Sequence, residues 1–312
     1  MLLDLTVGSI VGSERLTKDG DVMRAKDLGM LFLLAAMWGA SFLFIRIAVP
    51  TVGPIVLAVL RVSLAAFGLI VYALVSRRAT LLRGRWRIFL LIGLVNGAIP
   101  YVLIATAELH LTAALAAILN ATTPLFAALL GVLWLGEHLT FRTACGLLFG
   151  LFGVAVLVGW SPLALDRALV VAVLASLLAA FSYAVAGIVA KRVSSGVPVL
   201  SLALGQQLRA SALLLPLVVP IVATTPAVVH LSAPITLAIV SLAFLSTSVG
   251  YLLYFALIAN IGPTRTLGVT FLVPPFGLLW GVLFLHETVQ TSTALGLVHT
   301  QETYCARVRW AS

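Results

Sequence analysis

Residues 124–147 read PLFAALLGVLWLGEHLTFRTACGL, and residues 274–297 read PPFGLLWGVLFLHETVQTSTALGL. The two stretches align without a gap at an offset of 150 and agree at 12 of 24 positions, so the chain contains an internal duplication. Shared residues include Pro124/Pro274, Gly131/Gly281, Glu137/Glu287 and Gly146/Gly296. A repeat at fixed spacing sets the organisation of a whole chain, and everything else is placed around it.

Composition puts both copies in a membrane. The chain is 62% hydrophobic and 9% charged, with a mean hydropathy of +1.18. A water-soluble domain of 312 residues could not cover its surface with so few charges. A bilayer core of ~30 Å needs about 20 apolar residues per helix. Runs of that kind predict nine full spans near 28–49, 54–76, 88–108, 111–135, 141–160, 168–190, 197–222, 234–258 and 263–285.

The net charge of +9 does not indicate nucleic acid, because the basic residues are confined to alternate loops. Arg77, Arg78, Arg83, Arg85 and Arg87 share one connection without an acid, and Lys191 and Arg192 share another. With Arg142 and Arg265, one side carries nine Lys/Arg against Arg167 alone on the other, which predicts a cytoplasmic N-terminus in the inner membrane. Cys145 and Cys305 are the only cysteines, so neither a disulfide framework nor a metal-ligand spacing exists. No metal and no cofactor are expected.

The copies divide the chain into a polar extension 1–27, a first unit 28–160 (spans 1–5), a second unit 168–298 (spans 6–9 and the start of 10) and a polar tail 299–312. An odd number of spans per unit turns the halves over relative to each other, giving an all-α polytopic bundle with an inverted 5+5 repeat. Span 5 continues past Gly146 as LLFGLFGVAVLVGW, whereas Gly296 is followed by LVHTQETYCARVRWAS. Each charge near the bilayer centre costs ~3 kcal/mol, so the tenth helix is read as truncated or altered.

The stretches Trp38-Gly39-Ala40-Ser41-Phe42, Leu60-Arg61, Pro124-Leu125, Leu135-Gly136-Glu137 and Pro274 through Glu287 occur in an order and duplication that resembles the EamA-type transporters of the drug/metabolite transporter superfamily. The resemblance covers about 28–298 and implies ten helices around a central cavity, with export of amino acids or other small metabolites. His286 departs from Gly136 of the first copy, and the altered tail departs from the helix 5–helix 10 packing the resemblance implies.

No HExxH, nucleophile elbow or phosphate-binding glycine loop is present, so catalysis is not indicated. Candidate binding residues are the polar and aromatic groups inside spans. Arg61 lies ~10 Å into span 2 at 1.5 Å per residue, and Arg209 lies near the middle of span 7 beside Gln206. An intramembrane arginine faces a cavity or a partner, and both would bind a substrate anion, unless they are tied to backbone carbonyls. Trp38, Tyr101, Asn120, Thr123, Tyr251 and Thr270 complete the set. Pro124, Pro274 and Pro275 are expected to break spans 4 and 9 as gates, and Glu137 and Glu287 to cap the helix that follows each. The partners are a small-molecule substrate and the lipid bilayer, with a homodimer left open and nucleic acid excluded. The competing reading is a membrane scaffold or an inactive truncated relative.

Overall fold

In the computed structural model the described residues are 24–78, 80, 82, 85–136, 166–193, 196–224, 231–266 and 268–287. They form α1 (Ala25–Val52), α2 (Pro54–Val75), α3 (Trp86–Gly93), α4 (Ile99–Ala107), α5 (Ala113–Asn120), α6 (Thr123–Leu135), α7 (Arg167–Val193), α8 (Val199–Thr224), α9 (Ala233–Ser241), α10 (Gly250–Thr266) and α11 (Val269–Leu285). Span 5, the start of span 10, Glu137 and the tail fall outside the described residues.

Seven stretches are long and apolar enough to cross a membrane, and the 17-residue α11 is an eighth, shorter apolar helix. The chain is a multi-pass helical membrane protein, and no strand occurs among the described residues. Leu74 (72% exposed) and Val219 (69%) leave an apolar exterior that would be intolerable in water and suits lipid.

Spans 3 and 8 are not plain α-helices. Each is joined in its middle by π-helical turns, Leu94–Ala98 between α3 and α4 and Leu242–Val249 between α9 and α10. These occupy corresponding positions at the 150 offset. In the second, Thr247 and Ser248 hydroxyls donate to the carbonyls of Leu242 and Ala243, five residues back, at 2.8 and 3.1 Å. Side-chain hydroxyls thus support backbone groups that the widened turn loosens.

Span 4 is broken just where Pro124 predicts, with α5 ending at Asn120 and α6 starting at Thr123. Span 9 differs. Pro274 and Pro275 lie inside the unbroken α11, and the interruption comes before Val269. A proline's φ is itself helical, so the ring removes a donor without forcing the chain out of the helix. The expectation that Pro274 and Pro275 break span 9 is corrected accordingly. A second turn falls at Gly262, whose φ of 82° ends the long part of span 8.

Helix ends meet in a consistent order. Asn260, near the end of α10, donates to Asp27 at the start of α1 (3.0 Å). At the opposite end Arg46 of α1 donates to the carbonyl of Glu108, and Glu287 after α11 accepts from Ala113 and Ala114 at the start of α5. The start of α5 therefore lies beside the end of α11.

Candidate functional site

Backbone approach determines where the helices can open. A Cβ added at Gly39 in α1 would sit 2.6 Å from the Cβ of Phe276 and 2.9 Å from the nitrogen of Gly277 in α11. Only glycine permits that crossing, which anchors α1 to α11 through close packing rather than through the hydrophobic effect. The helices diverge from such contacts around a central cavity with about 1090 Å³ of empty space counted to its mouth.

Of the nine binding candidates, eight line it: Trp38, Arg61, Tyr101, Asn120, Thr123, Gln206, Tyr251 and Thr270. Arg209 does not. It is half-buried, and its Cβ would lie 3.1 Å from a Cβ placed on Gly93 of α3. One turn on from Gln206, it sits at the close approach of α8 to Gly93 of α3, off the cavity lining.

Arg61 is buried at 7% exposure. Its Nε donates to Thr247 Oγ1 at 2.9 Å, and its Cζ stands 3.7 Å from the centroid of the Tyr101 ring. Among the described residues its terminal guanidinium nitrogens have no acceptor. Thr247 belongs to the π-helical turn, so that irregularity aims the hydroxyl that orients the cation. A stacked, singly tethered guanidinium keeps a planar fork available for a carboxylate.

A connected polar strip leads away from the Tyr101 ring on which Arg61 stacks. Asn96 Nδ2 donates to Gln206 Oε1 (2.9 Å) and to the Tyr251 hydroxyl (3.1 Å), and Tyr101 donates to Tyr251 (3.1 Å). Two buried atoms on the cavity lining are left without partners, the donor Gln206 Nε2 and the acceptor Asn120 Oδ1. An unmet buried donor or acceptor is costly unless a ligand or water supplies the missing bond. Rings close the rest: Trp38 lies 5.2 Å from Tyr254, and Tyr251 stacks on Phe255 at 5.9 Å. Tyr183 and Tyr254 also line the cavity, as do Asn96 and Phe255, which the sequence reading does not single out. Asn96 carried a usable signal, an amide inside an apolar run; Phe255 carried none, because a ring in a span reads equally as core.

Glu287 serves the start of α5. Its carboxylate accepts from Ala113 N (2.9 Å) and Ala114 N (3.2 Å) in the other half of the chain. The corresponding Gly281 makes room for this: a Cβ there would lie 2.6 Å from Glu287 Oε2. A sequence cannot tell which helix start a cap reaches when the partner is 174 residues away. Trp280, another ring in the same segment, is structural, its indole N–H donating to Ala36 O at 3.0 Å.

Comparison with known proteins agrees with this architecture. The model of the EamA-like transporter family matches twice, over 27–159 and 170–300. A Bacillus subtilis protein named Uncharacterized transporter YvbV is 25% identical over 88% of this chain and 89% of its own length. An Escherichia coli protein named Probable amino-acid metabolite efflux pump is 27% identical over 88% of this chain and 92% of its own. One solved crystal structure superposes with a TM-score of 0.64 over 90% of this chain and 96% of that chain, and at 21% identity it speaks to fold alone.

Proposed function

Because this chain belongs to the EamA-like transporter family, we propose that it exports small amino-acid-like metabolites by alternating access through the cavity between two oppositely oriented halves. The observation that carries the substrate class is Arg61, a buried cation in the cavity with a free guanidinium edge. A carboxylate would dock on that edge, the polar side chains of Asn96, Asn120 and Gln206 line the same cavity, and the aromatic wall of Trp38, Tyr251, Tyr254 and Phe255 would take an apolar side chain. The amino-acid efflux name of a full-length relative supports the same class.

The inverted arrangement is supported by the duplicated family match, by π-helical turns at corresponding positions and by the contact between Tyr101 and Tyr251. Residues related by a two-fold axis can touch only near that axis, and this pair is 150 apart. The charge bias of the loops supports a cytoplasmic N-terminus in the inner membrane.

Efflux from proteoliposomes loaded with labelled amino acids, nucleosides and cations tests the reading. Carboxylate-bearing amino acids should move, and Arg61→Gln should slow them about tenfold or more, the loss of one charge-assisted contact. Arg209→Gln should leave the flux within about twofold of the parent, as a residue outside the site does. Absence of flux for every solute in correctly folded protein would favour the scaffold reading instead.

A further inference from the structure

The cavity lining includes Ile45, next to Arg46 in α1, and Ile104, one turn before Glu108 in α4, and both are buried, whereas Gly187, also on the lining, is exposed. Glu108 follows the last residue of α4 and lies one residue beyond the membrane span Trp86–Ala107. It is 0% exposed, and neither of its carboxylate oxygens has a hydrogen-bond partner. Nothing in the transport reading uses this acid.

Its surroundings do not hold a bare charge well. Arg46, from α1, directs its described hydrogen bond to the backbone carbonyl of Glu108, not to the carboxylate. Glu287, after α11, brings a second acid, itself fixed on the start of α5. Arg61, from α2, is turned to Thr247. His110 and His286, and Asp166 and Arg167 at the start of α7, which packs against α4 and α5, are exposed. A carboxylate taken out of water with no donor, next to a like charge, takes up a proton instead of staying ionised.

We propose that Glu108 is a proton-binding site that latches this end of the cavity, neutral while α1, α4 and α11 are closed over it and ionised once they part. The proton is exchanged with the solution on that face, and no other reactant is involved. Burial is the main cause holding the Glu108 carboxyl well above the ordinary carboxylate range; Arg46 opposes it, Glu287 adds to it, and Arg61 opposes it more weakly. Because the shut form has the higher pKa, its added stability is complete below the ordinary carboxylate range and is lost as pH rises through the raised value. Acid therefore keeps this end shut, and alkali opens it.

The test reads opening directly and needs no substrate, so it stands or falls apart from the identity of the cargo. In full-length protein carrying Cys145→Ser and Cys305→Ser, Ile45→Cys places a thiol on the cavity lining next to Arg46. A membrane-impermeant maleimide is applied from the Glu108 face of vesicles, to this protein and to the same protein with Glu108→Gln. Taking the ratio of their labelling rates cancels the titration of the thiol itself. The ratio should rise about tenfold or more between about pH 5 and about pH 8, since the parent unlatches and the permanently neutral amide does not. A ratio that stays flat across that range overturns the proposal. Labelling from the opposite face, through the cavity mouth, checks that both proteins are folded. Glu108→Asp, which keeps an ionisable group, should retain the pH dependence with a moved midpoint, and its loss there would also overturn the proposal.

Discussion

His286 has a φ of 53°, a left-handed conformation, and ends α11 where Gly136 ends α6 with a φ of 67°. The substitution that looked like a departure within the repeat leaves the backbone unchanged and charges the second copy for a Cβ. His286→Gly should therefore stabilise the protein by about 1 kcal/mol, visible as a rise of about 2 °C in the detergent unfolding midpoint. An unchanged or lower midpoint would mean that the imidazole makes a compensating contact. Arg61 illustrates the other side of residue-scale reasoning. Its depth in span 2 was legible from the apolar run around it, but its role was not separable from that of Arg209. Both are lone cations inside spans, and only the orientation of each helix sends one into the cavity and the other onto the α3 seam. Arg61→Lys should recover less than half of the lost carboxylate flux, because an ammonium keeps the charge but neither stacks on Tyr101 in the same way nor presents a planar fork.

At the scale of elements, the α1–α11 crossing is the least forgiving contact. Gly39→Leu drives a side chain into Phe276 and the backbone of Gly277, and overpacking of that kind costs about 1–3 kcal/mol or more. Size-exclusion chromatography in detergent should show loss of the monodisperse peak, whereas Gly29→Leu, with open space around it, should keep it. Proline placement shows how far element reading reaches. Pro124 coincided with a real interruption and Pro274 did not, although the two align in the repeat. A helix breaks where tertiary contacts satisfy the freed backbone groups, and a proline marks only where breaking is cheap. The π-helical turns were not legible at all. Their sequences, LVNGA and LAFLSTSV, differ, and what they share is the need to widen a helix beside the cavity.

For the whole molecule, the prediction concerns sidedness. The proposed orientation puts the connection around Arg85 in the cytoplasm and the turn at Leu109 outside. Arg85→Cys and Leu109→Cys, each in a protein lacking Cys145 and Cys305, should then be labelled by an impermeant maleimide from opposite faces only. Labelling of both from one face would remove the alternating topology on which the inverted halves depend. Sequence alone determined that the chain is a duplicated, multi-spanning helical membrane protein, because hydropathy and a gapless repeat are properties of residue order and need no partner across space. It also placed eight of the cavity-lining residues, since a polar group costs too much inside a span to face lipid. Only the tertiary structure decided that Arg209 lies off the cavity, that Glu287 caps the start of α5, and that Glu108 at a span end is sealed without a partner. Those outcomes depend on the rotation of one helix against another, and a side chain's surroundings in a bundle come mostly from segments far away in the chain.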